Sequence, residues 1–430
     1  MDLCIVADDL TGANDSGVQC TQFGYRPSVA LNAGQLNNML NRKALIIDTD
    51  SRALEPGEAY KKVKEALNPL VKNPPKVLYK KIDSTMRGNI GAELDAVFDT
   101  FKPDFIAVAP GYPSNGRTVI NGELFVDGVL LTETNISTHP DHHFETARPD
   151  AIIQEQSKNQ TVHLSVQEVL SSHLSHKLAQ LKKDGVSYIS LDSSSEEDLR
   201  RQIEKLSNTA FSIMLAGSAG AAQYLSSVYH LKDTIETRSE KKKLYIDSAL
   251  FVIGSMNNIS AVQLENLKET GEVKEYLVEP SVFFEADWQY NKNITRILNS
   301  IHEESSPFLL LHPDTSEESV TRIKEISRSN NISMAEATRQ IASCIGKLVQ
   351  LIFLVRPFDG LVMTGGDIAK AICTALESSE FELHYEFEKG IPLGKLKGNY
   401  EPLVITKAGA FGSKNTFVRM LHAFKGEVHI

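Results

Sequence analysis

The chain has 430 residues, 41% of them hydrophobic, which is enough for two domains with separate cores. A formal net charge of −10 and a pI near 5.7 argue against nucleic acid or an anionic membrane as the main partner. Cys4, Cys20, Cys344 and Cys373 show no CxxC spacing that would indicate a zinc site or disulfide framework, the acidic start MDLCIVADDLTG is no signal peptide, and no run approaches the roughly 20 apolar residues of a membrane span, so a soluble cytoplasmic protein is expected.

Residues 3–7 (LCIVA) form a continuous apolar run, the pattern of a strand covered on both faces. The run ends in Asp8-Asp9 and a turn into a helix. Paired carboxylates at a strand end suit holding a hydroxyl, accepting a proton or approaching a cation; capping of the next helix is the plain alternative. Residues 44–47 (ALII) repeat the pattern and end in Asp48-Thr49-Asp50-Ser51-Arg52. A third strand at 77–79 (VLY) runs into a turn over 80–89, KKIDSTMRGN, and Ile90, Leu94 and Val97 then fall at helical spacing. A fourth, at 105–109 (FIAVA), leads into PGYPSNGRT. Strands separated by helix-length segments predict a parallel sheet with crossover helices, and ligands bind at the carboxyl ends of such strands. Here those ends carry lysines, arginines, carboxylates and hydroxyls, a set suited to an anionic, hydroxylated small molecule. A solvated turn is the bland alternative for any one of them.

Further along, 122–131 reads as a β-hairpin turning at Asp127-Gly128. The run His139-Pro140-Asp141-His142-His143 lacks the spacing of a metal site on a helix face and reads as a loop near the substrate. Strands are expected at 161–164, 186–191 and 211–215. Between the last two lies a helix over 193–206, opened by Ser193 with Glu196 and Ser194 with Glu197. The charged stretch 232–243 (KDTIETRSEKKK) reads as a linker, giving domains over 1–231 and 244–430. The second half repeats the α/β pattern, with strands near 250–253, 276–278, 308–311, 360–363 and 402–406 and a long helix opened by the capping box Ser333–Glu336. Three of its strands end in small-residue turns: Gly254-Ser255, Thr364-Gly365-Gly366-Asp367, and 407–412 (KAGAFG). Backbone amides in such turns, with a helix N-terminus behind them, cradle anions. A nucleotide triphosphate fits, with Lys407 near its charge and Asp367 free for Mg²⁺ or helix capping. Neither GxxxxGK[ST] nor GxGxxG follows the first strand of either half.

Taken in order, VADDLTGANDSG (6–17), KKIDSTMRGNIGAEL (80–94), APGYPSNGRTVINGELFVDG (109–128), MTGGDIA (363–369) and KAGAFG (407–412) resemble the four-carbon acid sugar kinases over nearly the whole length. The resemblance implies an α/β protein of two domains, each with a largely parallel sheet flanked by helices, and an active site in the cleft between them. It implies an acid sugar held by Asp9, Arg52, Lys81, Ile82, Asp83, Ser84 and Arg87, and ATP held by Ser255, Thr364, Gly365, Gly366, Asp367 and Gly409. Phosphoryl transfer to the 4-hydroxyl needs ATP and Mg²⁺, with Asp9 or Asp83 as the base; the metal ligands stay open. D-threonate is the favoured substrate, with D-erythronate, L-threonate and 3-oxo-tetronates as the family's alternatives. A homodimer is expected; a non-catalytic sensor of acid sugar or nucleotide, a dehydrogenase and an aldolase are the competing classes.

Overall fold

The computed structural model describes residues 1–31, 36–139, 142–231, 243–255, 257–409 and 411–428. The chain divides into two compact units, Met1–Thr237 and Arg238–Ile430. Of the expected linker over 232–243, only Lys243 lies within the described residues.

The strands of the first unit are β1 (Leu3–Ala7), β2 (Ser28–Ala30), β3 (Ala44–Asp48), β4 (Val77–Lys81), β5 (Phe105–Ala109), β6 (Arg117–Ile120), β7 (Glu123–Val126), β8 (Val129–Leu130), β9 (Thr138–His139), β10 (His142–His143), β11 (Gln160–Leu164), β12 (Val186–Leu191) and β13 (Ile213–Gly217). Eight of them make one sheet in the order β11-β12-β5-β13-β4-β1-β3-β2, and every pair in it is parallel. The continuous apolar runs explain why: β1, β3, β4 and β5 are buried along their whole length, as strands with both faces covered must be. Strand order reverses about β1, with β3 on one side and β4 on the other, and such a reversal opens a crevice at the strands' carboxyl ends. Strands β6 to β8 form a small antiparallel sheet. Its expected turn is present, with Asp127 and Gly128 both at positive φ (51° and 82°), the conformation a two-residue hairpin needs. Of the run 139–143, expected as a loop, Pro140 and Asp141 lie outside the described residues, while His139 and His142-His143 belong to β9 and β10, which pair antiparallel.

Two local expectations are corrected. Strand β4 extends through Lys80 and Lys81, which pair with Val6 and Ala7 of β1, so both lysines belong to the sheet and not to the turn. The helix expected from Ser193 begins at Glu196, and its cap is Ser195, whose hydroxyl accepts from Asp198 N. Ser193 is held extended by a two-way backbone bridge to Val119, so it cannot enter the helix.

The second unit has β14 (Ala249–Ile253), β15 (Lys274–Val278), β16 (Phe308–Pro313), β17 (Gly360–Thr364), β18 (Glu380–Glu388), β19 (Ile391–Lys397) and β20 (Leu403–Lys407), in the order β18-β19-β20-β17-β14-β16-β15. The five from β20 to β15 are parallel, and β18 and β19 add an antiparallel ribbon. Order reverses about β14, the first strand of this unit as β1 is of the other. The Ser333–Glu336 capping box forms as expected and opens the 22-residue helix Met334–Val355. That helix is long and apolar enough to cross a membrane by composition, contrary to the expectation from the sequence. It is nevertheless a core element: Gly346 lies so close to Ala371 O on the neighbouring helix that an added Cβ would stand 2.5 Å from it.

Candidate active site

At the carboxyl ends of β1, β3 and β4, four acidic and four basic side chains meet. Arg52, on the loop after β3, donates to both oxygens of Asp8 (Nε 2.7 Å, Nη2 3.0 Å) and to Asp9 Oδ2 (Nη1, 2.6 Å). Its Nη2 also lies 3.9 Å from Asp83 Oδ1. Asp83 is gripped from the other side by Arg87, through Nε and Nη2 at 2.8 Å each, and Thr85 hydrogen-bonds the same carboxylate. The capping reading of Asp9 holds: Oδ1 accepts from Gly12 N (2.8 Å), capping the helix Leu10–Gln19, while Oδ2 takes Arg52. Gly12 is required here, since a Cβ would meet Asp9 Oδ1 at 2.6 Å and Lys81 Nζ at 2.9 Å.

Beneath this layer Lys80 and Glu93 form an ion pair (2.7 Å) whose side chains are 1% and 2% exposed. Ser51 donates to the other Glu93 oxygen (2.5 Å), tying the β3 loop to β4 and to the helix Ile90–Phe101. Lys81 differs from the other three cations. Its ammonium donates to Ile82 O (2.8 Å), and among the described residues no carboxylate lies within ion-pair distance. It is therefore the cation positioned to receive an anion.

Electrostatics separates the carboxylates. Burial opposes ionisation of Asp83, but Arg52 and Arg87 outweigh it and hold the group well below the usual range. Asp8 is also lowered, with Arg52, Lys80 and Lys81 overcoming burial. Asp9 goes the other way: burial, helped by the charge of Asp8, raises it despite Arg52. Glu93 is raised, again chiefly by burial. Of the two candidate bases, Asp9 has the greater proton affinity.

The structure thus gathers Asp9, Arg52, Lys81, Asp83 and Arg87 around one crevice. Ile82 contributes its backbone, with N–H bonded to Gly217 O (2.9 Å) and its carbonyl to Lys81, while its side chain is core. Ser84 sits on the turn after β4, and its hydroxyl has no hydrogen-bond partner among the described residues. Sequence reasoning placed Ser51, Lys80 and Thr85 at the polar strand ends without giving them partners, and it overlooked Glu93. Glu93 carried a visible signal: it lies three residues after Ile90 and one before Leu94, a charge on an apolar helix face.

In the second unit, the three small-residue turns converge at the carboxyl ends of β14, β17 and β20. Thr364 is fully buried and its hydroxyl accepts from Gly254 N (3.2 Å). Gly365, at φ 89°, precedes the helix Gly366–Ala375 and donates from N to Lys407 O (3.2 Å). Gly409 abuts Ser255, whose Oγ would lie 2.4 Å from an added Cβ. Asp367 stands exposed in the first helical turn, without a hydrogen-bond partner among the described residues. Ser255, Thr364 to Asp367 and Gly409 therefore share one edge lined by backbone amides. Lys407, expected near phosphate charge, instead turns inward: it is 3% exposed, and burial pushes its ammonium down to about 8.

Comparison with known proteins fits this division of labour. Residues 3–225 match the family described as a sugar-binding N-terminal domain, and residues 250–417 the nucleotide-binding C-terminal domain. The chain is 29% identical to a D-threonate kinase of Salmonella typhimurium, covering 98% of each chain, and 28% identical to a D-erythronate kinase of Heliobacterium modesticaldum, covering 96% of this chain and 94% of the relative. The fold is shared with a solved Salmonella typhimurium protein described as a putative tRNA synthase, with a TM-score of 0.80 over 97% of this chain and 98% of that one at 20% identity. Two parallel-sheet units, an acid–base cluster on one and an amide-lined edge on the other, together with these matches over nearly the full length, show that the chain belongs to the four-carbon acid sugar kinase family.

Proposed function

We propose that the protein transfers the γ-phosphoryl group of ATP to the 4-hydroxyl of a four-carbon acid sugar, with D-threonate the favoured acceptor. The observation that carries this reading is the crevice at β1, β3 and β4, where among the described residues Lys81, unlike the other three cations, has no carboxylate partner, while Asp9, with raised proton affinity, stands beside it. Lys81 takes the sugar's carboxylate, a charge-assisted contact worth roughly 1.5–3 kcal/mol. Arg87 Nη1 has no acceptor among the described residues and adds a second donor. Arg52 acts mainly by fixing Asp8 and Asp9, so its role differs from the direct carboxylate contact implied by resemblance. Asp9 accepts a hydrogen bond from the acceptor hydroxyl and then its proton. Asp83, held ionised between two arginines, orients a neighbouring hydroxyl and remains a carboxylate throughout.

The triphosphate lies along Ser255, Gly366 and Gly409, where backbone N–H groups and the N-terminus of the helix Gly366–Ala375 meet negative charge, while Gly365, its own N–H held by Lys407 O, shapes the turn through its positive φ. Among the described residues no group of three or more His, Cys, Asp or Glu side chains is placed to hold a metal. That fits Mg²⁺, which keeps most of its water and binds through one or two carboxylates plus phosphates; Asp367 is the carboxylate at hand. Bound there, Mg²⁺ neutralises phosphate charge that the protein leaves uncompensated.

A coupled ATP-to-ADP assay with Mg²⁺ against D-threonate, D-erythronate, L-threonate and 3-oxo-tetronates tests the reading. D-threonate is expected to give the highest kcat/KM. Another of these acids turning over faster would replace the substrate and keep the reaction. No turnover with any of them, from protein that binds ATP, would overturn the acid sugar assignment.

A further inference from the structure

Strand β20 ends in a buried cation for which the proposed reaction has no direct use. Lys407 Nζ donates to the carbonyls of Ala408 (3.1 Å), Gly409 (2.9 Å) and Phe411 (3.1 Å) and to Ser260 Oγ (3.2 Å), and it lies 5.3 Å from the Phe417 ring centroid. Among the described residues no carboxylate is within ion-pair distance of it. An ammonium has three N–H donors, and four acceptors on this loop and the helix behind it already share them. The helix Asn258–Glu269 binds two of these carbonyls a second time and adds another: Ser260 Oγ donates to Gly409 O (2.8 Å), and Gln263 Nε2 to Phe411 O (3.1 Å) and Ser413 O (2.7 Å).

A trans peptide is planar, with its N–H pointing opposite its C=O. Drawing the carbonyls of Ala408 and Phe411 inward therefore turns the N–H groups of Gly409 and Gly412 outward. Among the described residues neither N–H has an acceptor. Outward-facing amides of this kind make an anion-binding nest. A lysine reaching toward phosphate would leave donors pointing into solvent, and Lys407 leaves none.

We propose that Lys407 is a positioning residue that shapes residues 408–409 and 411–413 into a phosphate cradle by gathering their carbonyls, without itself touching the nucleotide. The proposal rests on the reading that this unit binds ATP. Lys407→Met keeps the buried stem and removes every donor, and Ser260→Ala removes one shared tie and serves if the first variant does not fold, as judged by Trp288 fluorescence. In nucleotide-free protein, amide exchange in 408–413 is expected to accelerate in Lys407→Met, and more weakly in Ser260→Ala. The Kd for ATP should rise about tenfold or more in Lys407→Met, while adenosine affinity and the KM for the acid sugar stay within about twofold. Unchanged exchange with weakened ATP binding would make Lys407 a direct phosphate ligand and overturn the proposal, as would variants that leave both unchanged. Wild-type protein that fails to bind ATP would sink the nucleotide reading, and the exchange measurement would still decide whether Lys407 orders the loop.

Discussion

Replacing Arg52 by Met tests how the acid cluster is held together. The substitution keeps much of the apolar stem and removes the guanidinium that bonds Asp8 twice and Asp9 once and faces Asp83. The Arg52 side chain is 20% exposed and that of Asp8 only 3%, so water replaces little of what is lost. Breaking a buried ion pair by removing one partner costs about 3–5 kcal/mol, and the doubly bonded geometry places this case within that range. The pH dependence carries a sign. In the wild type, Asp8 and Asp83 are lowered, so their contribution is complete above the unfolded carboxyl value of about 3.9 and is lost as pH falls through the folded values. Without Arg52, the charge and hydrogen bonds that most oppose burial at Asp8 are gone and only Lys80 and Lys81 remain, so its folded value is expected to rise above the unfolded one. The variant's folded state then binds more protons than its unfolded state, so its stability increases as pH falls from 7 toward 5, and its deficit shrinks. Native-state hydrogen exchange of peptides spanning β1, β3 and β4 measures this at both pH values. Trp288, the chain's single tryptophan, lies in the second unit, and its emission should not change. A loss below about 1 kcal/mol, or a deficit equal at pH 7 and pH 5, would refute the reasoning.

Asp9→Asn keeps the helix cap, because asparagine caps as well as aspartate, and removes the base; kcat should fall by about 10² or more with the Kd for ATP unchanged, and full kcat would exclude the role. Glu93→Gln leaves Lys80 buried without a counter-charge and should destabilise the first unit by about 3–5 kcal/mol in the same exchange experiment, whereas an exposed pair would cost under about 1 kcal/mol. Ser195→Ala should cost about 0.5–2 kcal/mol in thermal or denaturant unfolding while Ser193→Ala and Ser194→Ala cost less, and the reverse ranking would return the cap to the position expected from sequence.

Much of the fold was legible because the relevant signals are local. LCIVA, ALII and FIAVA are unbroken apolar runs, the pattern of strands covered on both faces. The Asp127-Gly128 turn and the Ser333–Glu336 box are likewise set within a few residues. The ribbon of β18 and β19 went unread although EFELHYEFE alternates polar and apolar residues, the period of a strand with one face buried. Ser195 displaced Ser193 as a helix cap for a reason no local rule contains, the bridge from Val119, 74 residues earlier in the chain.

For the site, the sequence by itself determined which chemistry is present. Carboxylates, arginines and lysines follow the first unit's strands, and glycines follow the second's; being adjacent to a strand end is enough to place them on one edge of a parallel sheet. Only the tertiary structure decided how those charges are shared. Arg52 is 43 residues from Asp9 and 31 from Asp83, and strand order rather than spacing brings it between them. The same packing pairs Lys80 with Glu93, leaves Lys81 without a carboxylate and turns Lys407 away from the edge it was expected to face. Charge pairing depends on separations of a few ångströms between distant parts of the chain, and a burial that raises one aspartate while its neighbour is lowered exists only once the sheet has formed.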